Sequence, residues 1–252
     1  NISITSCTIS DNLWGIYCCD SLYVTIRNCS FIHDGVILRG SELGHFASHT
    51  IENNTVNGKP LYYIVNTTSY TVPSDAGEII IVNSSDITIR GISISRTDVG
   101  VEIAYSSDIS IVNCRGIYCC DSLYVAIRDC SLVYNDVGTE CRHSSGITIH
   151  YCTISNNCYD GIECYDSSNI SMVNCTISDN IYGSIVCDNS SGITIHYCTI
   201  SNNRYCDGIE CYESSNITIR GCLICDNGHC SGQCGIYCYR SFGISIIGCT
   251  IS

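Results

Sequence analysis

Cysteine is the residue type in this sequence that could do the most chemistry, since 23 of the 252 residues are cysteines. Thiols bind metals, form disulfides or pack as small apolar groups, and their spacing helps to separate these roles. Most of them recur in two columns at a nearly constant interval. The first column comprises Cys7, Cys29, Cys114, Cys130, Cys152, Cys175, Cys198, Cys222 and Cys249. The second column comprises Cys18, Cys119, Cys141, Cys164, Cys187, Cys211 and Cys238.

Both columns are predicted to face the interior of the protein. Leu38 and Ile103 take the cysteine position in two repeats of the second column, so cysteine behaves there as a small apolar residue. If the repeats stack as strands, vertical neighbours lie about 4.8 Å apart, which suits the Cα separation of a disulfide. The columns are therefore structural, either as rung-to-rung disulfides or as ladders of packed free thiols.

Seven cysteines lie outside the two columns, and five of them are candidates for disulfide or metal bonds. Cys19 and Cys120 each follow a column cysteine directly, so they are expected to point outward and could bond another chain. Cys225, Cys230 and Cys234 lie in a long glycine-containing loop. We expect loop disulfides there. Zinc or iron–sulfur ligation is the alternative, but a second C-x2-C pair is missing, so neither a metal nor a cofactor is predicted.

Carboxylates and tyrosines form an outward column beside the second cysteine column. Glu140 and Glu163 should occupy adjacent repeats, where two stacked carboxylates would raise one pKa and permit acid–base work or hold a cation. Tyr17 and Tyr118 take the same position in other repeats, and the four side chains are candidates for facing a glycan. The alternative is an ordinary solvated face.

The elements that carry these residues repeat every 22–24 residues, as in the ten-residue segment GITIHYCTIS at 146–155 and again at 192–201. Apolar and polar residues alternate within it, and Ile and Thr are frequent, which is typical of β-strands. Asn, Gly and Asp then supply the turns. A period of this length indicates a solenoid, here an all-β parallel β-helix of about 10 coils.

The repeats extend along the whole sequence, so we predict a single domain over 1–252. Residues 57–83 break the period and should form a lateral insertion. Two segments, 15–30 and 116–131, differ at only two positions, which indicates internal duplication. Both ends lie within repeat-type strands, and open strand edges favour self-association.

Composition narrows the class of protein further. The net charge of −13 argues against nucleic acid and anionic membranes as partners, and no apolar run is long enough to span a bilayer. The cysteine density favours an extracellular or cell-surface location. Asn66 and Asn83 begin N-x-S/T sequons and are the predicted N-glycosylation sites.

The segment ENNTVNGKPLYYI at 52–64, with VPSDAGEIIIVNSSDITI at 72–89 and VGVEIAYSSDISI at 99–111, resembles NosD-like and carbohydrate-binding/sugar-hydrolase (CASH) type β-helix proteins, especially archaeal surface proteins. This resemblance implies a right-handed β-helix, export, and a loose association with polysaccharide or with copper-site maturation. The cysteine columns depart from the family, which commonly has Asn or an aliphatic residue there.

These observations favour an extracellular structural protein over an enzyme. We expect it to self-assemble with copies of itself into a cell-surface filament, sheath or layer, stabilised by interior Ile and Cys ladders and by disulfides. The first alternative is a secreted β-helix that binds carbohydrate, or less readily cleaves it. The second is a metal-handling accessory protein.

Overall fold

The computed structural model describes residues 2–92, 94, 97, 99–112, 117–228 and 233–252. The chain is an all-β, right-handed parallel β-helix of about ten coils, as the period predicts. It divides into two compact units, Asn1–Tyr118 and Cys119–Ser252. Cys114 and Cys230 lie outside the described residues. Among the described residues, no helix is long and apolar enough to cross a membrane.

The described residues of the first unit form fourteen strands and one short helix. They are β1 Ile2–Thr5, β2 Thr8–Ser10, β3 Ile16–Cys19, β4 Val24–Arg27, β5 Ser30–Ile32, β6 Val36–Arg39, α1 Gly44–Ala47, β7 Thr50–Glu52, β8 Thr55–Val56, β9 Lys59–Val65, β10 Thr68–Thr71, β11 Glu78–Val82, β12 Ser85–Arg90, β13 Val101–Ala104 and β14 Ser107–Val112. Strand β15, Ile117–Cys120, contains the boundary between the units.

The first unit changes direction at Asn57 and Gly58. Both residues have positive φ, 51° and 78°, as a two-residue hairpin turn requires. Strand β8 therefore pairs antiparallel with β9, and β9 then pairs parallel with β11. The segment expected to leave the stack as a lateral insertion thus contributes strands to it, because β10 also pairs with β12.

Two buried carboxylates close the edge of the pair formed by β3 and β6. The backbone N–H of Val36 donates to both carboxylate oxygens of Glu78 at 3.1 and 3.2 Å, and the N–H of Leu38 donates to Glu102 at 3.1 Å. These two N–H groups lie on the edge of β6 that faces away from β3. Side chains on β11 and β13 therefore satisfy edge groups that a further strand would otherwise bond.

Seventeen further strands lie in the part of the second unit that the structure describes. They are β16 Leu123–Arg128, β17 Ser131–Val133, β18 Thr139–Arg142, β19 Thr148–His150, β20 Thr153–Ser155, β21 Ile162–Tyr165, β22 Ser171–Val173, β23 Thr176–Ser178, β24 Ile185–Asp188, β25 Thr194–His196, β26 Thr199–Ser201, β27 Ile209–Tyr212, β28 Thr218–Arg220, β29 Leu223–Cys225, β30 Ile236–Tyr239, β31 Ser245–Ile247 and β32 Thr250–Ile251.

Three parallel sheets run along the second unit. Their strand orders are β16-β19-β22-β25-β28-β31, β17-β20-β23-β26-β29-β32 and β18-β21-β24-β27-β30. Equivalent residues pair in register, so Ile149 pairs with Met172 and Met172 with Ile195. The sequence columns are therefore physical ladders about 4.8 Å per rung. Interior isoleucines such as Ile149 and Ile195 are fully buried and form the core.

An asparagine ladder turns the chain between the second and third sheets. Asn157, Asn180 and Asn203 are all fully buried. The side-chain oxygen of Asn180 accepts from the N–H of Asn157 at 3.1 Å and from its amide at 2.8 Å. Asn180 donates in the same way to Asn203, at 3.0 and 2.9 Å. The ladder therefore satisfies turn backbone groups that lie out of reach of water.

Candidate functional site

The outer face of the third sheet of the second unit carries the predicted carboxylate column. Strand pairing puts Glu140 beside Glu163, Glu163 beside Val186, and Val186 beside Glu210. Glu163 and Glu210 are each only 8% exposed. Arg142 forms an ion pair with Glu140 within the same strand and lies 4.8 Å from the ring centroid of Tyr165.

Asp160 brings the turn before β21 into this cluster. Its carboxyl group hydrogen-bonds the side chain of Glu163 and accepts from the N–H of Gly183 at 2.6 Å. A Cβ at position 183 would lie 2.7 Å from the Asp160 carboxylate oxygen, so glycine is needed for this approach. Asp207 adds a fifth carboxylate and accepts from the N–H of Cys234.

Burial changes the protonation of this cluster. Burial, the hydrogen bond with Asp160 and the charge of Glu140 together raise the pKa of Glu163 to about 8. Burial also raises the pKa of Glu210, although the hydroxyl of Tyr212 donates to it at 3.0 Å and opposes the shift. Glu163 therefore carries a proton at neutral pH and can donate it, as a general acid must.

Three tyrosines form an exposed ladder next to these carboxylates. Tyr159 immediately precedes Asp160, Tyr182 precedes Gly183, and Tyr205 lies two residues before Asp207. The ring centroids of Tyr159 and Tyr182 are 5.5 Å apart and stacked, and those of Tyr182 and Tyr205 are 6.3 Å apart. Each ring is about half exposed. We call Tyr159, Tyr182 and Tyr205, with Asp160, Glu163, Asp207 and Glu210, the tyrosine–carboxylate face.

The two tyrosines predicted to face a glycan differ in exposure. Tyr17 is 46% exposed and stacks on Trp14 at 5.3 Å. Tyr118 is only 3% exposed, because the guanidinium of Arg39 lies 3.5 Å from its ring centroid. The expectation that Tyr118 faces outward to a ligand is therefore wrong. Tyr17 belongs to the first unit, whereas Glu140 and Glu163 belong to the second.

The two thiols predicted to point outward also differ. Cys19 is exposed, whereas Cys120 is only 3% exposed. A carboxylate oxygen of Asp121 lies 3.2 Å from the Cys120 thiol, and the ring of His143 lies close by. The expected exposure is therefore wrong for Cys120, and its use in bonds between chains stays a prediction.

All 21 described cysteines have free thiols. The buried members of the two columns are Cys18, Cys29, Cys119, Cys130, Cys141, Cys152, Cys164, Cys175, Cys187, Cys198, Cys211 and Cys222. Cys7 and Cys238 are exposed, and Cys249 is half-buried. In the described coils, the columns are therefore ladders of packed free thiols and not rung-to-rung disulfides. Hydrogen bonds with neighbouring thiols, together with burial, raise the pKa of Cys164.

The loop cysteines are unbonded too, as far as the loop is described. Cys225 is half-buried and Cys234 is exposed, and both have free thiols. Cys230, the third loop cysteine, lies outside the described residues. The loop disulfides predicted from the sequence are thus not formed between Cys225 and Cys234 in this structure.

The family model for the right-handed β-helix region matches residues 1–119 and 115–252, which together cover the chain. The chain belongs to the right-handed β-helix family. A search of curated protein sequences finds no match.

Several solved structures align with nearly the whole of this chain. The periplasmic alginate epimerase AlgG aligns at 18% identity with a TM-score of 0.55, over 95% of this chain and 62% of AlgG. Its T265N T268M double mutant aligns at 17% identity with a TM-score of 0.56, over 95% of this chain and 60% of that chain. The enzymatically active domain of bacteriophage CBA120 tailspike protein 2 aligns at 13% identity with a TM-score of 0.49, over 99% of this chain and 38% of that chain. This chain thus spans about three fifths of AlgG, and the two AlgG structures show the fold.

The first unit of this β-helix protein has a separate open pocket of about 450 Å³. Tyr62, Tyr63, Tyr70, His49 and Glu52 contribute to its lining. Its polar groups are already engaged, since Tyr62 donates to Asp75 at 2.9 Å, Tyr63 donates to the carbonyl of Phe46, and Arg27 pairs with Glu52. The pocket therefore offers aromatic surface, and its carboxylate Glu52 is already paired with Arg27.

Sequence reasoning missed the tyrosine ladder and Asp160. The ladder residues lie in the turn sequences NNCYDG at 156–161, DNIYGS at 179–184 and NNRYCDG at 202–208. A tyrosine at the same place in three successive turns was the available signal. The sequence does not contain a signal that Asp160 folds back onto Glu163, because this contact depends on how the turn closes against the rung that carries Gly183.

Proposed function

We propose that this β-helix protein binds an extended neutral or amino-sugar polysaccharide along its tyrosine–carboxylate face. The observation that carries the proposal is the continuous ladder of Tyr159, Tyr182 and Tyr205, exposed along the stack axis beside buried carboxylates. Aromatic rings provide rigid amphipathic surface, and carboxyl groups provide directional hydrogen bonds, as ligand sites require. A ladder one ring per rung suits a polymer better than a compact molecule.

The negative charge of the tyrosine–carboxylate face determines which classes of polysaccharide can bind to it. Asp160, Glu163, Asp207 and Glu210 lie close together, and the whole chain has a net charge of −13. Such a field repels polyanions and favours neutral or amino sugars. AlgG, a periplasmic alginate epimerase by its name, is a polysaccharide-acting relative in fold, but we do not expect alginate to be the ligand here.

Glycoside cleavage is a second candidate, favoured by the raised pKa of Glu163. A protonated Glu163 could protonate a leaving-group oxygen, while Glu210, two rungs away, activates water. Two rungs correspond to roughly 10 Å between backbone positions. Carboxyl groups in inverting glycosidases are about 6.5–9.5 Å apart, which side-chain reach could meet. Binding is the primary proposal because it needs only the ladder.

Several finer expectations stay proposals beside this one. Extracellular location fits the cysteine content and the periplasmic fold relative. Asn66 and Asn83 are exposed, and the side-chain amide N–H of Asn83 donates to the side-chain oxygen of Asn66 at 2.6 Å, so the two predicted glycosylation sites are adjacent. Assembly into a filament, sheath or layer, and the NosD-like, CASH-type and archaeal surface resemblance, likewise stay predictions.

Affinity electrophoresis tests the proposal directly. The protein is run through gels that contain a neutral β-glucan, a neutral galactomannan, chitosan or alginate. We expect retardation by at least one neutral or amino-sugar polymer and none by alginate. Retardation by alginate alone, or by none of the neutral and amino-sugar polymers, would overturn the proposal. Release of reducing ends from the retained polymer, lost in E163Q, would establish cleavage in addition.

A further inference from the structure

A cysteine, an aspartate and a histidine meet at one end of the third sheet in the second unit. One ligand atom from each of Cys120, Asp121 and His143 lies within 4.8 Å of the others. Asp121 and His143 belong to neighbouring rungs, since the N–H of Asp121 donates to the carbonyl of Arg142 at 2.9 Å, next to His143. The fold therefore brings together three side chains that ligate metals in proteins.

Backbone geometry fixes this cluster. Asp121, His143 and Asp166 follow the strand ends in successive rungs, and all have positive φ, at 46°, 47° and 48°. Each residue takes the left-handed conformation that bends the chain out of the third sheet. Their side chains thus emerge one above another, and the ladder is set by the same turn in each coil.

Asp166 contacts the ring nitrogen of His143 that points away from Asp121. Nε2 of His143 lies 3.5 Å from a carboxylate oxygen of Asp166, while Nδ1 lies 3.9 Å from Asp121. The other oxygen of Asp166 accepts a hydrogen bond from the side chain of Asn189, one rung further. A carboxylate on the second ring nitrogen is the usual outer partner of a metal-bound histidine, because it fixes the tautomer and the ring orientation.

The thiol side of the cluster also suits a metal. The Cys120 thiol is 3% exposed and lies 3.2 Å from Asp121, so a bound cation would be the local counter-charge for both groups. A related grouping recurs in the first unit, where His45 lies 3.2 Å from Asp20 and Asp20 follows Cys19. There Cys19 is exposed, so that copy lacks the buried sulfur.

We propose that Cys120, Asp121 and His143 bind a divalent transition-metal ion of the zinc class, with Asp166 as the outer partner of His143. Sulfur, nitrogen and oxygen ligands together favour zinc over calcium or magnesium, which prefer oxygen alone. Three protein ligands leave a fourth position for water. The site is independent of the tyrosine–carboxylate face and of any glycan.

Cobalt(II) titration of the reduced protein under anaerobic conditions tests this site, because thiolate ligation of cobalt gives a charge-transfer absorption. We expect one strongly bound equivalent with that absorption. The absorption should disappear in C120S, and the dissociation constant should rise at least 100-fold in H143A. D166N should weaken binding by roughly 10–100-fold, as for other outer partners. Zinc should displace the cobalt and bleach the absorption.

A matched control is available in the first unit. His33 lies 2.7 Å from Asp11 in an exposed His–Asp pair, so H33A removes the same kind of pair. We expect H33A to titrate like the parent protein. Far-ultraviolet circular dichroism of every variant confirms folding before titration. Charge-transfer absorption that persists in C120S, or equal affinity in H143A and H33A, would overturn the proposal.

Discussion

The side chains of Asp160 and Glu163 hydrogen-bond each other across the turn that leads into β21. Two carboxyl groups can bond in this way only if one retains its proton. Burial disfavours the charge on Glu163, and the adjacent Glu140 adds to the effect, so Glu163 is the proton holder. The outer face of the third sheet thus contains a carboxylic acid that keeps its proton at neutral pH.

This pair predicts that stability falls as the pH rises. The folded-state pKa of Glu163, about 8, exceeds its ordinary value of 4.5, so the folded state binds the extra proton between these values. The contribution is fully present below pH 4.5 and is lost as the pH passes 8, and it amounts to about 5 kcal/mol at most. E163Q stays neutral and should lose less stability from pH 5 to pH 8.5 in urea unfolding experiments.

An exposed glutamate supplies the control for this experiment. Glu213 pairs with Arg240 at 3.1 Å on the surface, so E213Q should keep the pH dependence of the parent protein. If E163Q and the parent protein lose equal stability over this range, the proton does not reside on Glu163.

The asparagine ladder predicts a large, local stability effect. N180A would remove the acceptor for the N–H and amide of Asn157 and leave buried polar groups without partners. Each such group costs about 1–3 kcal/mol, so we expect a loss of roughly 2–4 kcal/mol in chemical denaturation. T176A, which changes an exposed residue in the preceding strand β23, should stay within about 0.5 kcal/mol of the parent protein. Equal losses in the two variants would show that the ladder does not stabilise the turn.

The free thiols predict how the native protein reacts with a thiol reagent. Exposed Cys7, Cys19, Cys158, Cys234 and Cys238 should react quickly, whereas buried thiols such as Cys164 should react only after denaturation. Mass spectrometry of labelled peptides separates these classes. Because the described cysteines are not cross-linked, the melting temperature should not change when a reductant is added. Column peptides that stay unlabelled in denaturant without reductant would contradict the free-thiol structure.

Tyr17 and Tyr118 show most clearly which features of the structure can be predicted from the sequence and which cannot. The period and the in-register columns follow from local alternation, so Ile149 and Glu163 lie on the predicted rungs. Tyr17 and Tyr118 lie in nearly identical segments, yet one is 46% and the other 3% exposed. The difference arises from Arg39, which is distant in sequence from Tyr118. Local pattern assigns the column, whereas tertiary contacts decide which members remain open to a ligand.

The contacts at the edge of β6 and in the carboxylate cluster could not be predicted from the local pattern either. Glu78 is 42 residues from Val36, to whose N–H it bonds, and periodicity does not bring two such residues together. Asp160 accepts from the backbone N–H of residue 183 only because a glycine there leaves room for its carboxylate. Such contacts depend on the packing of turns, where spacing varies from coil to coil.

The most direct test of the proposed function compares two exposed tyrosines in the second unit. Tyr182 is the middle ring of the ladder, whereas Tyr151 follows β19 in a different sheet and is 58% exposed. Isothermal titration calorimetry with the polymer that retards the protein should give at least 10-fold weaker binding for Y182A and parent-like binding for Y151A. Equal binding by Y182A and Y151A would contradict a glycan site on the tyrosine–carboxylate face.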